Sequence, residues 1–74
     1  MSHPSPRLPI GRRIEAYRKT AGINRQELAA MIAVSPHRLG NIECGRSSAY
    51  GYELAQLATV LNVALVELMD PPMA

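Results

Sequence analysis

The 74 residues contain neither Phe nor Trp, and a single cysteine, Cys44. Without the large aromatics a core has to be aliphatic, assembled from Leu, Ile, Val and Ala with some Tyr. One thiol excludes an internal disulfide, and one Cys with two His (His3 and His37) falls short of a structural zinc site. No stretch approaches the roughly 18 apolar residues of a membrane span. The opening MSHPSPRLP lacks the apolar segment of a secretion leader. These absences predict a reducing cytoplasm, no membrane partner, no metal and no cofactor. There is also no Ser/His/Asp set and no glycine-rich phosphate loop. His37 and Cys44 share one helix face but lack a third group to orient them, so an enzyme is not expected. Alternating strand patterns, internal repeats and heptads are missing too.

What is present is 47% hydrophobic residues and a lopsided charge. A chain of this length makes one small domain that buries roughly 60% of its unfolded surface, so stability is modest and dimerisation would add to it. The net charge is only +2, yet all eight Lys and Arg lie within residues 1–46. Against Glu15, Glu27 and Glu43 that half carries +5, whereas residues 47–74 hold three acids and no base, giving −3. One half suits a polyanion and the other half something else.

The basic half is organised around NRQELAAMIAVSPHRLGNIECGR, Asn24 to Arg46. Asn24 followed three positions later by Glu27 has the spacing of a reciprocal capping box. Leu28, Ala29 and Ile32 then recur at helical spacing, and the run stops near Ala33-Val34. Ser35 caps a second helix and Pro36 occupies its first position, where a missing N–H costs nothing. Leu39 and Ile42 point inward, and Gly45 supplies the left-handed residue that ends it. Two short helices with a tight turn between them form a helix-turn-helix candidate. At about 100° per residue, Glu43 shares the inward side with Leu39 and Ile42. His37 and Asn41 lie opposite, with Gly40 and Cys44 beside them and Arg38 on the flank. Imidazole and carboxamide both donate and accept hydrogen bonds, and a guanidinium can fork onto guanine, which suits base edges. A merely solvated polar face has the same appearance; the basic surroundings favour nucleic acid.

Around this pair the sequence predicts three further helices. Residues 1–9, with three prolines, read as an extended arm in which Arg7 could reach a phosphate. Ile10, Ile14, Tyr17 and Ala21 give a first helix ended by Gly22. Arg18 sits at the edge of that stripe, where its charge needs a partner, while Arg12, Arg13 and Lys19 read as solvent-facing. After the loop Arg46 to Ala49, a fourth helix from about Tyr50 to Asn62 turns Leu54, Leu57, Ala58 and Leu61 inward. A last helix, Ala64 to Met69, has Leu65 and Leu68 inward and Pro71-Pro72 as its stop. The expected divisions are an arm (1–9), a domain (10–70) and a tail (71–74).

With these segments in order, Ile10 to Asp70 resembles the lambda-repressor-like helix-turn-helix family, the Cro-type or XRE regulators. The resemblance rests on Arg18, on Gly22-Ile23-Asn24-Arg25-Gln26-Glu27-Leu28-Ala29, on Val34-Ser35, on Ile42-Glu43-Cys44-Gly45-Arg46 and on Leu57-Ala58 through Leu61-Asn62-Val63. It implies an all-α fold of five short helices around one core. It also implies a structural ion pair between Arg18 and Glu43, which agrees with the inward position of Glu43. The third helix would enter the major groove with the second across the backbone. Pro36, His37 and Asn41 match base-reading positions. Arg25 takes the place of a glutamine that touches phosphate, Ser35 and Arg46 match further backbone contacts, and amides at the start of the fourth helix would face another phosphate. Four residues depart from the pattern. Pro36 limits discrimination there to apolar contact, Ala33 stands where a turn glycine is customary, Gly40 costs the recognition helix about 1 kcal/mol relative to Ala, and Cys44 replaces a polar residue.

The expectation is a sequence-specific, double-stranded-DNA-binding transcriptional regulator, a repressor acting on an operator as a homodimer. Val66 and Met69, left over once Leu65 and Leu68 turn inward, are the candidate dimer residues. A competing reading is an antitoxin or adaptor whose main partner is another protein, since Pro36, Gly40 and Cys44 weaken the usual reading surface.

Overall fold

In the computed structural model, which describes residues 7–69, every regular element is a helix, and each begins and ends for a local reason. The first, α1 (Arg7–Thr20), starts three residues earlier than the apolar stripe predicts. Pro9 falls in its first turn, where an amide would have no helical partner, so its missing N–H costs little there. Arg7 therefore belongs to the helix, not to an arm; the rest of the expected arm (1–6) lies outside the described residues, as does the expected tail (71–74). Gly22, at φ +73°, closes α1, and the Ile23 amide turns back to the Arg18 carbonyl at 3.2 Å. Ala21 lies beyond the helix and is exposed, so the inward stripe ends at Tyr17.

The second helix, α2 (Arg25–Met31), carries the expected reciprocal cap: Glu27 N–H donates to Asn24 Oδ1 at 2.8 Å, and Asn24 N–H to Glu27 Oε1 at 2.9 Å. Ala33 takes the turn at φ +59°, the conformation its side chain disfavours. The third helix, α3 (Pro36–Glu43), opens with Arg38 N–H donating to Ser35 Oγ at 3.0 Å. It closes on Gly45, at φ +86°. In α4 (Gly51–Leu61) the carboxylate of Glu53 accepts the Tyr50 amide at 2.8 Å, and Asn62 ends the helix in the left-handed region. A single turn, α5 (Leu65–Leu68), follows.

Ile14 of α1, Leu28 and Ala29 of α2, Leu39 and Ile42 of α3, Leu54, Leu57, Ala58 and Leu61 of α4, and Leu68 of α5 meet with Ile32 in one aliphatic core. Packing α1 against α3, α4 and α5, and α2 against α3, leaves the outer side of α3 uncovered. The approach of α1 to α3 depends on Gly11. A β-carbon there would press on the carbonyl oxygens of Ile42 and Glu43 and lie 2.8 Å from the Glu43 carbonyl carbon. Leu65 corrects an expectation: with only one turn in α5, Leu68 alone reaches the core and Leu65 remains exposed. Arg13 corrects another, because its guanidinium donates to the Met69 carbonyl and ties α1 to the end of α5. Tyr17 adds a second tie, its hydroxyl donating to Glu67 at 2.9 Å. That hydrogen bond raises the phenol's pKa. No described helix is long and apolar enough to cross a membrane.

Candidate nucleic-acid interface

The outer side of α3 forms a shallow depression lined by Arg25, Pro36, His37, Gly40, Asn41, Cys44 and Arg46. Helical spacing brings Pro36, His37, Gly40, Asn41 and Cys44 together. The α2 N-terminus contributes Arg25, and the turn after Gly45 contributes Arg46. Pro36 and His37 are exposed and Asn41 is half-buried. The backbone carbonyl of Asn41 is occupied, accepting Arg46 N–H at 2.9 Å, Ser47 N–H at 3.2 Å and the Cys44 thiol at 3.6 Å. Among the described residues its carboxamide has no intramolecular hydrogen bond, nor has the His37 ring, so both keep their donor and acceptor capacity for something outside. Ser35 is exposed; its hydroxyl oxygen caps α3, which leaves its proton to donate elsewhere.

Beneath this surface lies a charge network. Arg18 and Glu43 are both buried, and Arg18 Nε donates to Glu43 Oε2 at 2.8 Å and Nη2 to Oε1 at 3.3 Å. The remaining amino group of Arg18 donates to the Ile23 carbonyl at 3.1 Å, fixing α1 to the start of the helix pair. Removing one partner would strand the other charge inside, at a cost of roughly 3–5 kcal/mol. Arg25 joins from outside, its Nε donating to Glu43 Oε1 at 3.1 Å.

Arg38, grouped from sequence with the base readers, is engaged toward α4. Its Nη2 and Nε donate to Glu53 at 2.7 and 3.1 Å, and Nη2 also reaches the Ser48 carbonyl at 3.2 Å. The guanidinium carbon lies 5.1 Å from the centre of the Tyr50 ring, which stacks on Tyr52. Arg38 thus clamps α3 to the start of α4. Its hydrogen bonds hold the Glu53 carboxyl below its ordinary pKa, against the opposing effect of burial. Helix spacing puts Arg38 on a flank without revealing what stands beyond that flank. The only sequence hint of the clamp is Glu53, three residues after Tyr50 at the capping position. Because Glu53 takes the Tyr50 amide, that amide is not one left for a phosphate, and Arg38 cancels the negative charge that would otherwise repel one.

Val66 and Met69, the candidate dimer residues, are 62% and 43% exposed, and with Leu65 they form an outward apolar side on α5. Cys44 is exposed and free.

Two short helices at this turn, with an open outer face on the second and arginines at its borders, define a helix-turn-helix DNA-binding protein. The helix-turn-helix family model HTH_3 matches residues 14–68, and the chain belongs to that family, the lambda-repressor-like XRE regulators of transcription. It is similar to YazB of Bacillus subtilis (strain 168), an uncharacterized HTH-type transcriptional regulator, with 36% identity over 61 residues covering 82% of this chain and 88% of YazB. Among solved structures it resembles SinR, a master regulator for biofilm formation, in complex with DNA. There the TM-score is 0.77 with 34% identity, covering 82% of this chain and 98% of the other. It also resembles the P22 c2 repressor in complex with a synthetic operator, at TM-score 0.77 and 28% identity, covering 82% of this chain and 92% of that one. The family is one of DNA-binding transcription regulators, not of enzymes.

Proposed function

We propose that the protein is a repressor that binds an operator as a homodimer, each copy placing the outer side of α3 in the major groove. In this reading Asn41 and His37 read base edges and Pro36 makes an apolar contact, as to a thymine methyl. Arg25, Ser35 and Arg46 hold the phosphate backbone. The Arg18–Glu43 pair keeps α3 at its angle, and Arg38, spent on Glu53, supports the surface from behind instead of reading it.

The observation that carries the proposal is the depression on α3. Two side chains with unused hydrogen-bonding groups stand there between two arginines, on a helix whose other side is fixed by a buried ion pair. Similarity to the DNA-bound SinR and the operator-bound P22 c2 repressor supports the same docking. The homodimer has a physical reason as well. One eight-residue helix touches too few base pairs for useful discrimination, and a second copy doubles the reading. The apolar side of α5, formed by Leu65, Val66 and Met69, is the surface offered for that contact.

Selection of bound fragments from a pool of random duplex DNA tests the proposal. The expected product is a two-fold symmetric sequence with half-sites about one helical turn apart. Enrichment of an asymmetric sequence would remove the homodimer, and failure to enrich any sequence would remove base reading.

A further inference from the structure

One carboxylate in this molecule has two arginine partners, and they differ in kind. Arg18 is buried with Glu43, whereas the Arg25 side chain is 46% exposed and borders the α3 depression. Glu43 Oε1 accepts from both, from Arg18 Nη2 at 3.3 Å and from Arg25 Nε at 3.1 Å. Two further acids flank the cluster: Glu15 lies 3.9 Å from Arg18 and 3.5 Å from Lys19, and Glu27, two residues from Arg25, accepts the Asn24 amide.

A guanidinium is a rigid plane, so holding its Nε edge fixes where its two amino groups go. With Nε directed at Glu43, those groups stay available on the open side. The neighbouring helix leaves room for this arrangement. A β-carbon on Gly40 would stand 3.5 Å from Arg25 Nη1 and 3.8 Å from its Cδ and Cζ, in ordinary contact. A longer side chain would compete for the same space. Gly40, costly to the helix on its own, thus keeps open the strip of α3 across which Arg25 lies.

We propose that Glu43 is a positioning residue for DNA binding: beyond locking α1 to α3, its buried carboxylate anchors Arg25 by Nε across Gly40 and aims both amino groups at the phosphate backbone. This deepens the reading of Arg25 as a phosphate contact and rests on it. Arg25 becomes a pre-oriented fork, and the orientation entropy that a free surface arginine would lose on binding is already spent in the free protein.

The test is a double-mutant cycle on the full chain, using wild type, Arg25→Ala, Glu43→Gln and the double variant. Affinity for a random-sequence DNA duplex is measured across salt concentrations, with folding checked by circular dichroism. Arg25→Ala is expected to flatten the slope of log affinity against log salt by about one unit. Glu43→Gln is expected to weaken binding roughly three- to ten-fold when Arg25 is present. In the Arg25→Ala background its effect should stay within about two-fold. Equal losses in both backgrounds, with the slope still flattened by Arg25→Ala, would overturn the positioning role and leave the phosphate contact standing. An unchanged slope in Arg25→Ala would remove the contact and the proposal with it. Should Glu43→Gln fail to fold, Arg25→Lys decides. Lysine keeps the charge but cannot be anchored at one edge while forking at the other, so affinity should fall toward that of Arg25→Ala. Wild-type affinity in Arg25→Lys would overturn the proposal.

Discussion

Single residues carry the steric conditions of this fold, and two small ones act in opposite senses. Gly11 lies where α1 runs against the carbonyl end of α3, and the space a β-carbon would need is filled by backbone, which cannot swing aside. Gly11→Ala is expected to destabilise the protein by roughly 1–3 kcal/mol, the usual range for overpacking. Ala33 has the reverse problem, a side chain in a turn at φ +59°. Ala33→Gly relieves about 1–2 kcal/mol of left-handed strain while giving back about 0.5–1 kcal/mol of chain entropy, so a small net gain is expected. Denaturant midpoints of the two variants check both signs at once. The Ala33 strain was legible only through the family resemblance, which marks that turn position as one where glycine is customary. Gly11 was not, since nothing in a periodic pattern reports how closely two helices approach.

At the scale of elements, the sequence revealed most where signals are local. The Asn24–Glu27 box, the Ser35-Pro36 start, the Gly22 and Gly45 ends and the Asn62 stop all stand where spacing and cap chemistry put them, because each depends on neighbours within four residues. Local spacing does not report a role that depends on a distant partner. Arg38 faces Glu53, fifteen residues away, and Arg13 faces the Met69 carbonyl at the surface, at the far end of the chain. Helical spacing over Ala64 to Met69 turns Leu65 inward, but the single turn from Leu65 to Leu68 leaves it exposed. The Arg38–Glu53 clamp has a pH signature. Because Arg38 lowers the Glu53 pKa, the clamp's contribution to stability is complete above the ordinary glutamate value of about 4.3 and is lost as pH falls through the lowered one. Urea midpoints measured from neutral to acid pH should therefore fall less steeply below about pH 4.3 in Glu53→Gln than in wild type. Parallel curves would show that the α3–α4 clamp is not stabilising.

For the whole molecule, the division of charge seen in the sequence corresponds to a division of surfaces. The depression on α3 and its bordering arginines belong to α2, α3 and the turn that follows, and the basic-free C-terminal part carries an exposed apolar side on α5. If that side joins two copies, Val66→Asp should shift sedimentation toward the monomer and weaken binding to a symmetric site far more than binding to a single half-site. Equal losses on both sites would place the dimer contact elsewhere. The central claim is that the outer side of α3 reads base pairs while its basic neighbours supply salt-sensitive affinity. It is tested most directly by titrating wild type and Asn41→Ala, across salt concentrations, against the selected duplex and against a scrambled one. The account predicts that Asn41→Ala narrows the gap between the two duplexes by about 1–3 kcal/mol and leaves the salt slope unchanged. A uniform loss on both duplexes, or indifference of the wild-type protein to either at low salt, would contradict it.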